Sequence, residues 1–219
     1  MSEAAVYIHL IVEGQTEQDF VRKILQPEFA HKEIYLTAST LGKIGGNVKF
    51  EKLKRDLALV QKSCYISTMF DFFRIDSQWP GMDKINALKQ SKTQLQPEAK
   101  AKILEDATAQ KIAQERFIPH IQMHEFETLL FSEPCAWRAF STSAVDHIQD
   151  IVKQYPDPEA INDGGETAPS KRITNKFSGY SKRIHGINIA KQIGLAAMRK
   201  KCSHFNQWLT QLESLKPLS

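Results

Sequence analysis

The chain has 219 residues, 42% of them hydrophobic and 25% charged, with a formal net charge of +4. That is enough chain to bury a sizeable core, and the composition excludes a disordered polyelectrolyte and a disulfide-framed mini-domain. The longest apolar stretch, residues 4–12, is interrupted by His9 and too short to cross a bilayer, and residues 1–5 carry no basic export leader, so a cytoplasmic protein is expected.

In chain order, residues 6–12 form a β-branched run that reads as a first strand. It is followed by Glu13, by Gly14 as a turn, and by a helix capped by Thr16 and Asp19 and ending before Pro27. A second strand is expected at 33–38, a glycine-rich connection at 42–47, an amphipathic helix at 48–60 and a third strand at 64–70, followed by Asp71. Successive βα units imply right-handed crossovers and a parallel sheet. Helical patterns follow at 83–92 and 97–114, then a fourth strand at 116–123 whose Pro119 places it near an edge or at a bulge. Beyond Glu127 the pattern is helical, at 128–131, 144–155, 187–200 and 205–215, with a turn-rich loop at 156–169. The expected architecture is a four-stranded, mainly parallel α/β sheet over residues 1–131 and a helical region, 132–219, packed on it.

Acidic residues follow three of the strands: Glu13, Asp71, and the pair Glu125 and Glu127. Ligands of open α/β sheets sit outside the carboxyl ends of the strands, and carboxylates gathered there repel one another unless a cation lies among them. Oxygen donors without paired Cys or His point to Mg²⁺ or Mn²⁺. Glu125 and Glu127 face the same way if extended and diverge if they begin a helix. Asp76 is a further candidate ligand.

Between residues 167 and 201 there are nine Lys and Arg residues and no Asp or Glu. Lys171, Arg172, Lys176, Lys182 and Arg183 from this segment are candidate contacts to a polyanion, nucleic acid above all. Lys171, and after it Lys182, is the candidate cation for charge developing on a phosphoryl group. A solvated helical face is the competing reading of such a run.

His120, Gln122 and His124 alternate, so the two histidines are candidate acid-base groups or ligands, although a lone histidine on a strand is more often structural. The Cys202-Ser203-His204 stretch is too short to be a zinc motif by itself, and the 42–47 loop lacks the order of a nucleotide P-loop. Trp79, Trp137 and Trp208 are read as packing residues rather than base-stacking ones.

Val12-Glu13-Gly14-Gln15-Thr16-Glu17 before a helix, with an apolar strand ending at Asp71, resembles the Toprim superfamily of topoisomerases, primases and nucleases. Together with Met69-Phe70-Asp71-Phe72-Phe73, Phe117-Ile118-Pro119-His120-Ile121, His124-Glu125-Phe126-Glu127-Thr128-Leu129-Leu130-Phe131 and Ala168-Pro169-Ser170-Lys171-Arg172, it resembles the Toprim-like family called domain of unknown function 4276. The resemblance implies catalytic and metal-binding roles for Glu13 and Asp71, DNA phosphodiester hydrolysis, and an ATP-hydrolysing partner in phage defence. One departure is plain: Phe73 stands where Toprim enzymes carry the second Asp of an Asp-x-Asp pair, so the second ligand is either absent or comes from elsewhere, with Asp76, Glu125 and Glu127 the available substitutes. A ribonuclease, a primase-like nucleotidyl transferase and a non-catalytic binding module are the alternatives.

Overall fold

The computed structural model describes residues 5–42, 47–93, 95–161 and 164–218. Strand β1 (Val6–Val12) leads into helix α1 (Gln15–Phe20), which continues through a π-helical segment, Val21–Leu25, into α2 (Gln26–Ala30). The expected stop before Pro27 does not occur. A π widening one turn earlier relieves the clash and the missing N–H that proline imposes on a helix. Nor do Thr16 and Asp19 cap the helix: Gly14 is the N-cap residue, Thr16 is buried, and Asp19 pairs with Arg22 and Lys23 at 3.0 Å each.

Next come β2 (Ile34–Thr40), α3 (Phe50–Leu57), β3 (Tyr65–Asp71), α4 (Met82–Gln90) and α5 (Pro97–Ile112). Most of the glycine-rich connection, residues 43–46, lies outside the described residues. The expected fourth strand is two short pieces, β4 (Phe117–Ile118) and β5 (Ile121–Gln122). Both pair in parallel with β3, and in one continuous register. Pro119 interrupts the ladder, and the Thr68 hydroxyl bridges the gap, accepting from His120 N at 2.9 Å and donating to His120 O at 3.0 Å.

The sheet is wholly parallel, in the order β2-β1-β3-β4, with β5 also on β3. Its faces carry separate cores. Val6, Ile8, Leu10 and Val12 of β1 pack with Phe20 and with Phe205, Leu209 and Leu212 near the C-terminus. Ile11, Ile66 and Phe70 pack with Leu53, Ile85 and Leu104. Residues 1–131 and 132–219 therefore share the first of these cores.

The remaining helices are α6 (Thr142–Gln154), α7 (Pro169–Thr174), α8 (Ile187–Ile193), α9 (Leu195–Lys201) and α10 (Ser203–Glu213). The single helix expected over 187–200 is broken at Gly194, whose φ of 75° lies outside the helical region and suits glycine. Among the described residues, no helix is long and apolar enough to cross a membrane.

Candidate functional site

The chain leaves β1 toward β2 on one side and leaves β3 toward β4 on the other, so the strand order reverses between β1 and β3. A crevice at such a reversal, outside the carboxyl ends, is the usual ligand position of this sheet type. Val12 pairs with Met69, which brings Glu13 and Asp71 to that same edge. Gly14 is extended, with φ of −153°, so its role is one of space rather than turn geometry: a Cβ there would come within 3.3 Å of Glu17 Oε2.

Helix α1 carries Glu17 back over the edge, a 3₁₀ turn (Phe126–Phe131) supplies Glu127, and a second π-helical segment (Lys182–Gly186) supplies Lys182. The Lys182 ammonium lies 3.0 Å from Glu17, 3.0 Å from Asp71 and 3.4 Å from Glu127. It also stands 5.6 Å from the Phe126 ring centre. Asp71, 3% exposed, accepts a hydrogen bond from Phe126 N at 2.9 Å through its other oxygen. Arg74 Nε donates to Glu13 at 3.1 Å from the rim.

Burial sets the electrostatics. It raises Asp71 well above the ordinary carboxylate range, opposed by Lys182 and reinforced by Glu17, Glu13 and Glu127. Glu13 and Glu127 are raised for the same first reason, with Lys182 pulling both down. For Lys182 burial works against the charged form, but Asp71, Glu127 and Glu17 outweigh it and hold the ammonium well above its usual value. The Tyr180 hydroxyl is buried without a hydrogen bond, and its pKa is pushed up by burial and then by the Glu127 charge.

Of the sequence-predicted residues, Glu13, Asp71, Glu127 and Lys182 converge. Glu125 does not: it precedes the 3₁₀ turn and accepts from Ser170 N at 2.9 Å, so the pair diverges. Asp76 closes its own turn, accepting from Gln78 N at 3.0 Å. Lys171, the first-choice cation, is exposed on α7, and Lys182 takes the place among the acids. Arg172 is committed to the Thr167 and Ile161 carbonyls and to the Tyr155 ring, Lys176 is exposed, and Arg183 lies 3.9 Å from Asp19. His124 leaves the strand with φ of 58° and meets the Glu159 carbonyl at 2.9 Å. Glu17 was not singled out from sequence. Its spacing of four from Glu13, across the turn into a helix, was the available signal.

Among the described residues, the His, Cys, Asp or Glu ligand atoms that gather within 4.8 Å in a set of three belong elsewhere, to Glu105, His120 and His204. All three are buried, and the set could bind a metal ion. Burial brings His120 down to about 4, so its ring is neutral near pH 7.

The family model described as Domain of unknown function (DUF4276) matches residues 12–213. The chain belongs to the DUF4276 family. No curated protein and no solved structure matches it. The DUF4276 match takes in the edge carboxylates, Lys182 and the Glu105, His120 and His204 set alike.

Proposed function

We propose that this DUF4276 protein is a Toprim-type, Mg²⁺- or Mn²⁺-dependent nuclease that hydrolyses phosphodiester bonds of DNA at the β1/β3 crevice. One observation carries the reading. Four carboxylates, Glu13, Glu17, Asp71 and Glu127, meet two cations, Lys182 and Arg74, which leaves two negative charges when all are ionised. That deficit is the complement of one divalent ion. The donors are all oxygen, Glu13 Oε2 is buried without a hydrogen bond, and Glu127 Oε2 has the Lys182 ammonium at 3.4 Å and no hydrogen bond, which suits a hard cation.

Glu13 and Asp71 would hold the ion, with Glu17 and Glu127 completing the negative field. When bound, the ion polarises a phosphoryl oxygen and acidifies water. The Lys182 ammonium, freed from part of its carboxylate contact, turns to the phosphate, and Arg74 on the rim binds the neighbouring phosphate. Phe126 N keeps the Asp71 carboxylate aimed by holding its second oxygen.

The test is nicking of supercoiled plasmid with Mg²⁺ or Mn²⁺, comparing the parent with Glu13→Gln and Asp71→Asn. Loss of cleavage in both supports the site, and equal cleavage by all three refutes it. By analogy with the resemblance, an ATPase works with the protein in phage defence, and addition of that partner is the second arm. A binding module without chemistry is the second reading, favoured by the exposure of Lys171, Lys176 and Arg183. It predicts DNA binding that survives Glu13→Gln.

A further inference from the structure

The break at Pro119 has a second product. Thr68 grips the His120 backbone on both sides and turns its imidazole inward, 1% exposed. There its ring lies parallel to the Trp208 ring, with centroids 4.2 Å apart at 5°, and its centroid stands 4.8 Å from that of the His204 ring at 26°. His204 stands in the first turn of α10, whose leading N–H groups, those of His204 and Phe205, are accepted by the Glu159 carboxylate at 2.9 and 3.0 Å. Glu105 comes from α5, and Ile121 N donates to its Oε1 at 2.8 Å.

The same Oε1 lies 3.0 Å from His204 Nε2 and 3.5 Å from His120 Nδ1. Ligands about 2.0–2.1 Å from a tetrahedral ion stand about 3.3 Å apart, so these separations bracket the spacing a shared ion imposes. Neither ring nitrogen of His120 has a hydrogen bond, an uncommon state for so buried an imidazole. Ile121 N takes one lone pair of Oε1, the kind of outer contact that fixes a carboxylate ligand, and the other faces His204 Nε2, a contact that an ion between them would replace.

We propose that Glu105, His120 and His204 form a transition-metal site of the zinc class, distinct in donor chemistry from the all-oxygen cluster at the β1/β3 edge. Two imidazoles and a carboxylate suit a borderline ion rather than Mg²⁺. Three protein ligands leave a fourth position, and all three residues border a cleft of about 440 Å³ that also meets Glu98, Lys102 and Gln207. The ion would tie α10 to α5 and to the β4–β5 junction while keeping an open face for a small ligand.

The experiment is zinc retention by the full chain after dialysis against Zn²⁺ and gel filtration, with the visible spectrum of the Co²⁺-loaded protein alongside. One equivalent of zinc in the parent is expected, with the intense d–d bands of tetrahedral cobalt. Retention should be unchanged in Glu13→Gln and Asp71→Asn and fall more than 10-fold in Glu105→Gln and His204→Gln. A folded parent that keeps no zinc and shows no cobalt bands overturns the proposal, as does undiminished retention by folded His204→Gln. If that variant does not fold, the parent's cobalt spectrum decides. Neither result depends on nuclease activity.

Discussion

Replacing Lys182 with Met keeps most of the stem and deletes the ammonium from among three buried carboxylates at 3.0, 3.0 and 3.4 Å. Breaking a buried ion pair from one side costs about 3–5 kcal/mol, because the remaining charge stays desolvated. The Lys182 side chain keeps 31% exposure and the acids can take up protons, so the lower end applies, about 3 kcal/mol at pH 7. For a chain of this length each kcal/mol moves Tm by about 2–4 °C, so the variant should melt roughly 6–12 °C below the parent. The loss should depend on pH in one direction. Asp71, Glu13 and Glu127 have raised folded pKa values, so their stabilising contribution is present at acid pH and fades as pH rises through those values. Lys182 is raised too, so its contribution holds through neutral pH and is lost only above its ordinary value. Without it the carboxylates shift further up, and the deficit should shrink as pH falls from about 7 toward 5. Thermal melts of parent and Lys182→Met across that range provide the assay. A deficit under about 2 °C at pH 7, or one indifferent to pH, refutes a charge-coupled cluster.

In Lys182→Met with Asp71→Asn, the second change should recover part of the lost stability rather than add to it, since the pair shares one network; a double-mutant cycle by urea denaturation measures this. Thr68→Val removes both hydrogen bonds at the Pro119 break and leaves buried His120 backbone groups unsatisfied, for a loss of about 1–3 kcal/mol by the same measurement. Gly81→Ala forces a side chain onto φ of 88° and places a Cβ 2.9 Å from Ile103 O, so it should cost at least about 1 kcal/mol, read from its denaturation midpoint. Trp208→Phe gives up the 2.9 Å hydrogen bond to Ser67 Oγ and should cost about 1 kcal/mol, while metal retention at His120 and His204 persists.

The sheet was legible because its signal is local. Residues 6–12 are an apolar run that ends in a polar turn, and β1 occupies those residues. The edge place of β4 was foreshadowed by Pro119, the residue that breaks a ladder. What composition and period could not convey is how helices bring distant side chains back over the sheet. Glu17 looked like a first-turn helix acid, and only the approach of Lys182 across the edge makes it part of a cluster. Between Lys171 and Lys182, a linear reading ranked the one beside Pro169 and Ser170 first, although α7 points Lys171 to solvent.

The histidines show the same division of labour more sharply. Strict alternation would have put His120 and His124 on one face, but the backbone turns to φ of 58° at His124 and sends that ring to the Glu159 carbonyl. His120 instead finds Glu105 from a helix and His204 from the last one, partners that no spacing rule joins. Both clusters are therefore products of one arrangement. The sheet supplies fixed positions, Asp71 at the end of β3 and His120 at the break beside it, and the C-terminal segment supplies Lys182 to the first and His204 to the second. Removing that segment should uncover carboxylates at both places at once, which is why residues 132–219 cannot be an independent appendage to the sheet.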